Sequence, residues 1–518
     1  MAASVATMMS TTRALPAASR VLQAADEGRL EVEAIVTVLS AQFTVVTGPK
    51  QLVRRRRLDT FDRRLDVEGL TLEHQIALPG ERLVLGRPDG TSTVAVSGKD
   101  LRWPARADVL PSGPIREAVA PVLGIRALMV VSDERRCVHR LDLRNEGGKI
   151  VARVSLDEPV AATGSPARLT VRRLRGYDDQ ARRADRLLVG LGLRRVGHGE
   201  DRAPSSALKT SGTDRSAPAR VLLAAALSDF LLAMRENLPG LLDDVDTEFL
   251  HDFRVAVRRT RATLKLGRPA LPEVMRRRWE PAFKALGDLT TPVRDLDVYL
   301  LDLPTMSHWL VTADPADLDL LAVYLARRRA LERGKLVRSL RSAAFRRLVT
   351  AWDAELAGLV GPSRDAELEH LSGGQWADRS IFGAYRRVAR GGAAIGADSP
   401  PKDLHELRKR CKELRYALEV CAPVLPEGPR KRVVADLKGL QDVLGRFQDA
   451  EVQRWAMRGF AGEMMAEGTS AGAVLAMGEL IGHLDVEQDR ARREFDAAFA
   501  RFERPSSLRL MHLLGGGR

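Results

Sequence analysis

The sequence predicts an α+β domain followed by an all-α domain made of two similar helical bundles. Three observations carry that expectation: a 48-residue segment that recurs 154 residues later, long 3.6-period segments confined to the second half, and short β-branched runs confined to the first.

Taken in chain order, residues 1–19 are a Met/Ser/Thr/Ala-rich stretch expected to be a disordered tail; no charged start precedes an apolar core, so a secretory signal is not expected. Residues 20–197 form the α+β domain. Its strand candidates, Gln42 to Val46, Arg82 to Leu85, Thr93 to Val96 and Lys149 to Leu156, are short, β-branched and bounded by Gly, Pro and Asp. Residues 198–217 read as a linker, since the surrounding stretch is rich in Ser, Thr, Gly and Pro and poor in large apolar side chains. Residues 218–504 form the helical domain, with amphipathic segments such as Asp317 to Leu359 and Ile481 to Phe502, and 505–518 are a C-terminal tail. The most apolar stretch, Val221 to Met234, is 14 residues interrupted by Ser228 and Asp229, too short to cross a bilayer.

At 518 residues the chain can bury more than one core. A formal charge of +14 and a pI near 10.1 favour an anionic partner. Cys137, Cys411 and Cys421 form no CxxC pair and are odd in number, which predicts a reducing, cytoplasmic setting.

The recurring segment runs from His251 to Val298 and again from His405 to Val452, without a gap and with 15 of 48 positions identical. Each copy opens with a basic helix in which His251, Arg254, Arg258 and Arg261 correspond to His405, Arg408, Lys412 and Arg415. That i, i+3, i+7, i+10 spacing places each set on one helical face. PxLPE recurs at Pro269 and Pro423, Arg276 and Arg278 recur as Arg430 and Arg432, and Lys284, Leu286, Asp288 and Asp295 recur as Lys438, Leu440, Asp442 and Asp449. Two copies are too few for a solenoid. A half-domain packing against its own copy about a pseudo-twofold axis would bring the two stripes together into one polyanion site.

Arginine offers a planar fork and lysine a mobile point charge, which together suit a linear chain of phosphate oxygens. The candidate contacts are the stripe residues, the adjacent Arg259, Lys265 and Lys409, the recurring Lys284 and Lys438, and Arg294 and Arg446. A solvated face with i,i+4 ion pairs is the competing explanation. It is weak for residues 251–268, which hold six cations and one acid, and stronger for the second copy, where Asp403, Glu406 and Glu413 intervene. His251 and His405 suit either a phosphate contact or a local helix-start hydrogen bond. No HxxxH or Cys/His cluster suggests a metal, and the duplicated aspartates are expected to orient the arginines. Tyr416, opposite Ala262 in the repeat, could cap a phosphate oxygen or simply pack. Nucleic acid would invite stacking aromatics, yet only 5% of residues are aromatic and none lies on a stripe.

The paired HxxRVxxRRxR and HxxRKxxKxLRYxLE helices, followed by LGDLxxxxRDLDV and LQDVLGRFQDAEV, resemble the CHAD domain, a conserved-histidine α-helical domain whose members bind inorganic polyphosphate. The resemblance implies two similar bundles with a basic channel between them, no cofactor, and association with polyphosphate granules. More faintly, LDTFDRRLDVEGLTLEHQ at Leu58 to Gln75 and VARVSLDEP at Val151 to Pro159 resemble strands of CYTH domains, whose antiparallel β tunnel implies metal-dependent triphosphatase activity. That activity depends on an ExExK strand and on arginines in an LRxR strand. Here the candidate is Glu31-Val32-Glu33-Ala34-Ile35, with Ile35 at the lysine position and a helical alternative open, while Glu73 and Gln75 stand at the arginine positions. Arg54 to Arg57 keep a basic run that a solvated strand edge would also explain. A degenerate, non-catalytic CYTH-like domain is therefore expected, with triphosphate hydrolysis or non-specific nucleic-acid binding as alternatives.

Overall fold

The chain divides into two compact units, Met1–Ala207 and Leu208–Arg518. A computed structural model describes residues 13–15, 19–24, 30–78, 80–87, 92–97, 101–160, 166–196, 214–361, 370–511 and 514. Most of the expected tail at 1–19 and of the linker at 198–217 lies outside these residues.

In the first unit, β-branched and aliphatic runs pair into an antiparallel sheet. Its strands are β1 (Arg13–Leu15), β2 (Ser19–Ala24), β3 (Thr44–Thr47), β4 (Gln51–Asp59), β5 (Thr71–Ala77), β6 (Gly80–Gly86), β7 (Ser92–Ser97), β8 (Met129–Arg144), β9 (Ile150–Pro159), β10 (Arg168–Arg173) and β11 (Leu193–Val196). They lie in the order β1-β7-β6-β5-β4-β8-β9-β10-β2-β11, with β3 paired to β8. The four expected runs fall in β3, β6, β7 and β9. Alternation along the strands sends Leu22, Leu141, Leu143, Val154, Leu156, Leu169 and Val171 to one face, where Ile35 and Leu39 of α1 (Val32–Ser40) and Ala184 and Leu188 of α4 (Asp178–Val189) cover them. Two further helices are α2 (Arg64–Val67) and α3 (Pro114–Leu123).

Two local expectations change. Arg54 to Arg57 lie in β4, which is held between β5 and β8 and is no sheet edge. Their charges are neutralised by acids: Arg54 and Arg56 pair with Asp133, Arg55 with Asp157, and Arg57 with Asp66. Glu31 is the residue before α1 and Glu33 sits exposed in its first turn, so Val32 to Ile35 are helical and no ExExK strand forms there.

The second unit is all-helical, and its duplication extends beyond the 48 aligned residues. Helices α5 (Ala219–Asp243), α6 (Thr247–Leu266) and α7 (Glu273–Met306) recur as α10 (Gly373–Ala393), α11 (Pro401–Val420) and α12 (Glu427–Ala466), each beginning 154 residues on. Helix α8 (Leu318–Leu340) recurs as α13 (Ala471–Phe502). The segment expected to run unbroken from Asp317 to Leu359 divides at Ser342, whose hydroxyl caps α9 (Ala343–Val360) by accepting from the Phe345 N–H. A short α14 (Pro505–Met511) begins within the expected C-terminal tail and buries Met511.

Apolar faces at helical spacing hold the bundles together. In the first half, Trp352 of α9 is fully buried with its ring 4.9 Å from that of Trp279 and 5.1 Å from Phe283, both on α7. Across the halves, Leu296, Tyr299, Leu303 and Met306 of α7 share a core with Met457 and Phe460 of α12 and Met477 and Leu480 of α13. Replacing a buried tryptophan by alanine removes its transfer free energy and leaves a cavity, so Trp352→Ala should destabilise the helical unit by about 3–5 kcal/mol. Denaturant unfolding followed by helical circular dichroism measures it; a shift below about 1 kcal/mol would mean that α9 is not integral to this core.

Candidate functional site

Helix α6 begins where the Asp246 carboxylate accepts from the N–H groups of Glu248 and Phe249, at 3.0 and 3.3 Å. Phe249, Phe253, Ala256, Val257, Thr260 and Leu264 then turn one face into the core. Helix α11 buries Leu404, Leu407, Cys411, Leu414 and Leu418 in the same way, starting from Pro401 in its first turn. With those faces fixed, the basic stripes point elsewhere, and α6 packs against α11.

Each stripe divides into two parts. Its N-terminal members are tied to the next helix of their own half. Arg254 Nη1 donates to the Gly287 carbonyl and to the hydroxyls of Thr290 and Thr291, at 3.2, 3.0 and 2.8 Å. Arg408, its counterpart, pairs with Asp449 of α12 at 3.1 Å, the orienting role expected of that aspartate. The Nδ1 of His405 donates to the side-chain oxygen of Gln448. Gln448 corresponds to Arg294, and the cation at that position acts after burial in pulling the His251 pKa below the ordinary imidazole value. Asp288 pairs with Lys284 one turn away on its own helix.

Of the C-terminal members, Arg258, Arg261 and Lys412, though not Arg415, face a groove of about 1090 Å3 between α6, α7, α10 and α11. Of the residues expected to contact an anion, Arg258, Arg261, Lys265, Lys284, Lys409 and Lys412 line it. The remaining nine do not. Arg259 and Arg415 both pair with Glu419, Arg446 pairs with Glu494, Arg294 lies 3.9 Å from Glu248, and Lys438 is exposed on α12. Tyr416 and its counterpart in the repeat, Ala262, both line the groove. Gly287 makes room for Arg261, since a Cβ there would come within 3.0 Å of its guanidinium.

Sequence reasoning missed Arg268, Arg379, Arg387 and Arg410, which also line the groove. For the two on α10, duplication was a misleading filter: their counterparts are Ala225 and Ala233.

Charge defines what the groove can hold. Among the described residues, Arg258, Arg261, Arg379, Arg410 and Lys412 face it without an ion pair. At Lys412, burial first, and then the charges of Arg408 and Arg258, bring the ammonium pKa down to about 8 against a weaker upward pull from Asp449. Such a set of cations has the charge and the donors to match an anion with several oxygen acceptors.

On the face of the first unit's sheet opposite the helices, Asp157 accepts from Arg136 Nε and pairs with Arg55, Glu134 pairs with Arg136 at 3.0 Å, and Glu73 accepts from Gln75 at 2.6 Å. Because Leu22 of β2 faces the helices, Val21 and Gln23 face the other way. Among the described residues, no three His, Cys, Asp or Glu side chains converge to hold one, so the residues present do not fit the metal that a CYTH-type reaction uses.

The depressed Lys412 value gives a direct electrostatic test. Removing a neighbouring positive charge with Arg258→Gln should raise the Lys412 midpoint above 8, and removing the attractive carboxylate with Asp449→Asn should lower it. NMR titration of the lysine side chain distinguishes the two directions; equal midpoints in both variants would mean that these charges do not share one site.

Comparison with known proteins agrees with this geometry for the helical unit. The profile of the CHAD domain family matches residues 225–458, spanning both stripes. No curated protein sequence matches the chain significantly. Among solved structures, the CHAD domain from the plant Ricinus communis is 22% identical with a TM-score of 0.48, covering 57% of this chain and 94% of its own. PptA from Streptomyces chartreusis is 19% identical with a TM-score of 0.43, covering 54% of this chain and 99% of its own. A Hippeastrum protein described as a putative adenylyl cyclase with a dominant triphosphatase activity is 15% identical with a TM-score of 0.23, covering 35% of this chain and 86% of its own. Likenesses this distant carry no functional argument. The family match, the duplicated basic helices and the groove between them identify residues 225–458 as a CHAD domain.

Proposed function

We propose that this protein binds inorganic polyphosphate without transforming it, along the groove between its duplicated basic helices, and that this binding places it on polyphosphate granules in the cytoplasm. The observation that carries the proposal is the set of five groove-facing cations, Arg258, Arg261, Arg379, Arg410 and Lys412, that make no ion pair among the described residues. Surface charges on a merely solvated helix usually find i,i+4 partners, as Lys431 and Glu427 do elsewhere in this domain. Polyphosphate has the complementary chemistry: about one negative charge per unit, oxygen acceptors throughout, and nothing to stack. Tyr416 is the sole aromatic among the groove-lining residues, too little for a base-stacking track. No helix of the described residues is long and apolar enough to cross a membrane.

Competition binding tests the reading. Long-chain polyphosphate should displace duplex and single-stranded nucleic acid from the full chain, and not the reverse. Each phosphate contact releases counterion, so five engaged cations set a log-log salt slope of roughly −3 to −4. A slope shallower than about −2, or preference for nucleic acid, would contradict it.

Protonation gives a second check. The anion favours the charged form of Lys412, whose pKa in the free protein is about 8, so binding draws in protons near that pH and weakens as pH rises from 7 to 9. Calorimetry in buffers of different ionisation enthalpy reads the uptake directly. Proton release, or a flat profile, would remove Lys412 from the site. Incubation with tripolyphosphate and Mg2+ or Mn2+ should release no orthophosphate, consistent with the neutralised carboxylates of the first unit.

A further inference from the structure

The groove is asymmetric in a way the duplication does not require. Helix α10 contributes Arg379 and Arg387, two turns apart on one face, where α5 has alanines. The glycine between them, Gly383, and the neighbouring Ser380 keep that face low. At this end of the groove three helices converge on one carboxylate. Glu413 of α11 accepts from Lys265 Nζ of α6 at 2.5 Å, while Arg387 Nη2 lies 3.6 Å from its other oxygen. Arg379 makes no ion pair, and Arg268 reaches only Glu280, at 3.8 Å.

Stability does not account for this arrangement. Lys265 is 60% exposed, Arg387 47% and Glu413 31%, and ion pairs so open to solvent contribute little. Geometry suggests another use. A carboxylate held between an ammonium and a guanidinium presents two anionic oxygens to two cations on different helices, the contacts that a phosphate unit would make there with acceptors to spare.

We propose that Lys265, Arg379 and Arg387 form a further phosphate subsite at the α10 end of the groove, and that Glu413 fills it in the free protein as a built-in counter-anion that the ligand displaces. The inference rests on the polyphosphate reading of the groove. Glu413 is tethered beside the cations at high effective concentration, so a single phosphate in solution competes poorly with it. A chain already held along α6 and α11 delivers its next unit intramolecularly and competes well. Glu413 thereby sets a threshold that favours long chains over free phosphate.

The full chain is titrated with long-chain polyphosphate over a range of salt, using the unaltered protein, Glu413→Gln, Lys265→Gln/Arg387→Gln and the combined triple variant. Glu427→Gln, which removes a distant exposed carboxylate, controls for net charge. Glu413→Gln should bind roughly 1.5- to fivefold more tightly, the range of one exposed charge pair. Its log-log salt slope should be steeper by about 0.7 for each further phosphate that the opened subsite neutralises. In the Lys265→Gln/Arg387→Gln background the same substitution should leave affinity unchanged, because the subsite it unblocks is gone. Arg379→Gln alone should weaken binding several-fold, an outcome independent of any Glu413 variant. Unchanged or weaker binding by a folded Glu413→Gln, a tightening matched by Glu427→Gln, or a tightening that persists without Lys265 and Arg387 would overturn the subsite. Failure of the unaltered chain to bind polyphosphate would instead sink the reading on which it rests.

Discussion

Like-charge crowding where α6 meets α11 is the constraint on which the rest of the helical unit depends. Helices that present lysine and arginine toward a common space repel one another, and repulsion among partly desolvated cations is not fully screened by salt. The fold holds them there by burying the opposite faces of both helices. Phe249, Phe253 and Leu264 on α6, and Leu404, Leu414 and Leu418 on α11, anchor each helix to its own bundle. Arg254 and Arg408 are then fastened to the following helix in each half, one through neutral acceptors and one through Asp449. Burial first, and then the charges of Arg408 and Arg258, lower the pKa of Lys412.

Duplication explains the framework of this site, and departures from duplication explain its details. The same helix supplies a histidine and an arginine at the start of each stripe, yet His405 meets Gln448 where His251 meets Arg294. Helix α10 adds two arginines at positions where α5 has alanine. A symmetric pair of halves has thus acquired a groove with distinguishable ends.

Much of this was legible in the sequence, for identifiable reasons. The stripes and their helical register follow from spacing alone, and the internal repeat located both copies without any other protein. Partner choice across the bundle was not legible. Arg258 and Arg259 are neighbours of the same type, but one faces the groove without an ion pair while the other is taken by Glu419, 160 residues away. Arg446 is likewise claimed by Glu494. Such pairings depend on interhelical packing that no local pattern encodes. In the first unit the β-branched runs marked four strands correctly, whereas the arginine run in β4 gave no sign that Asp133, Asp157 and Asp66 would neutralise it.

The central claim is that the two duplicated halves make one anion site. Charge reversal on α6 by Arg258→Glu/Arg261→Glu, and separately on α11 by Lys409→Glu/Lys412→Glu, tests it by titration calorimetry with polyphosphate of defined length. One shared site predicts that each double variant, still helical by circular dichroism, loses most of its affinity. Two independent half-sites would leave either variant with half the stoichiometry at undiminished affinity, and that result would contradict the account.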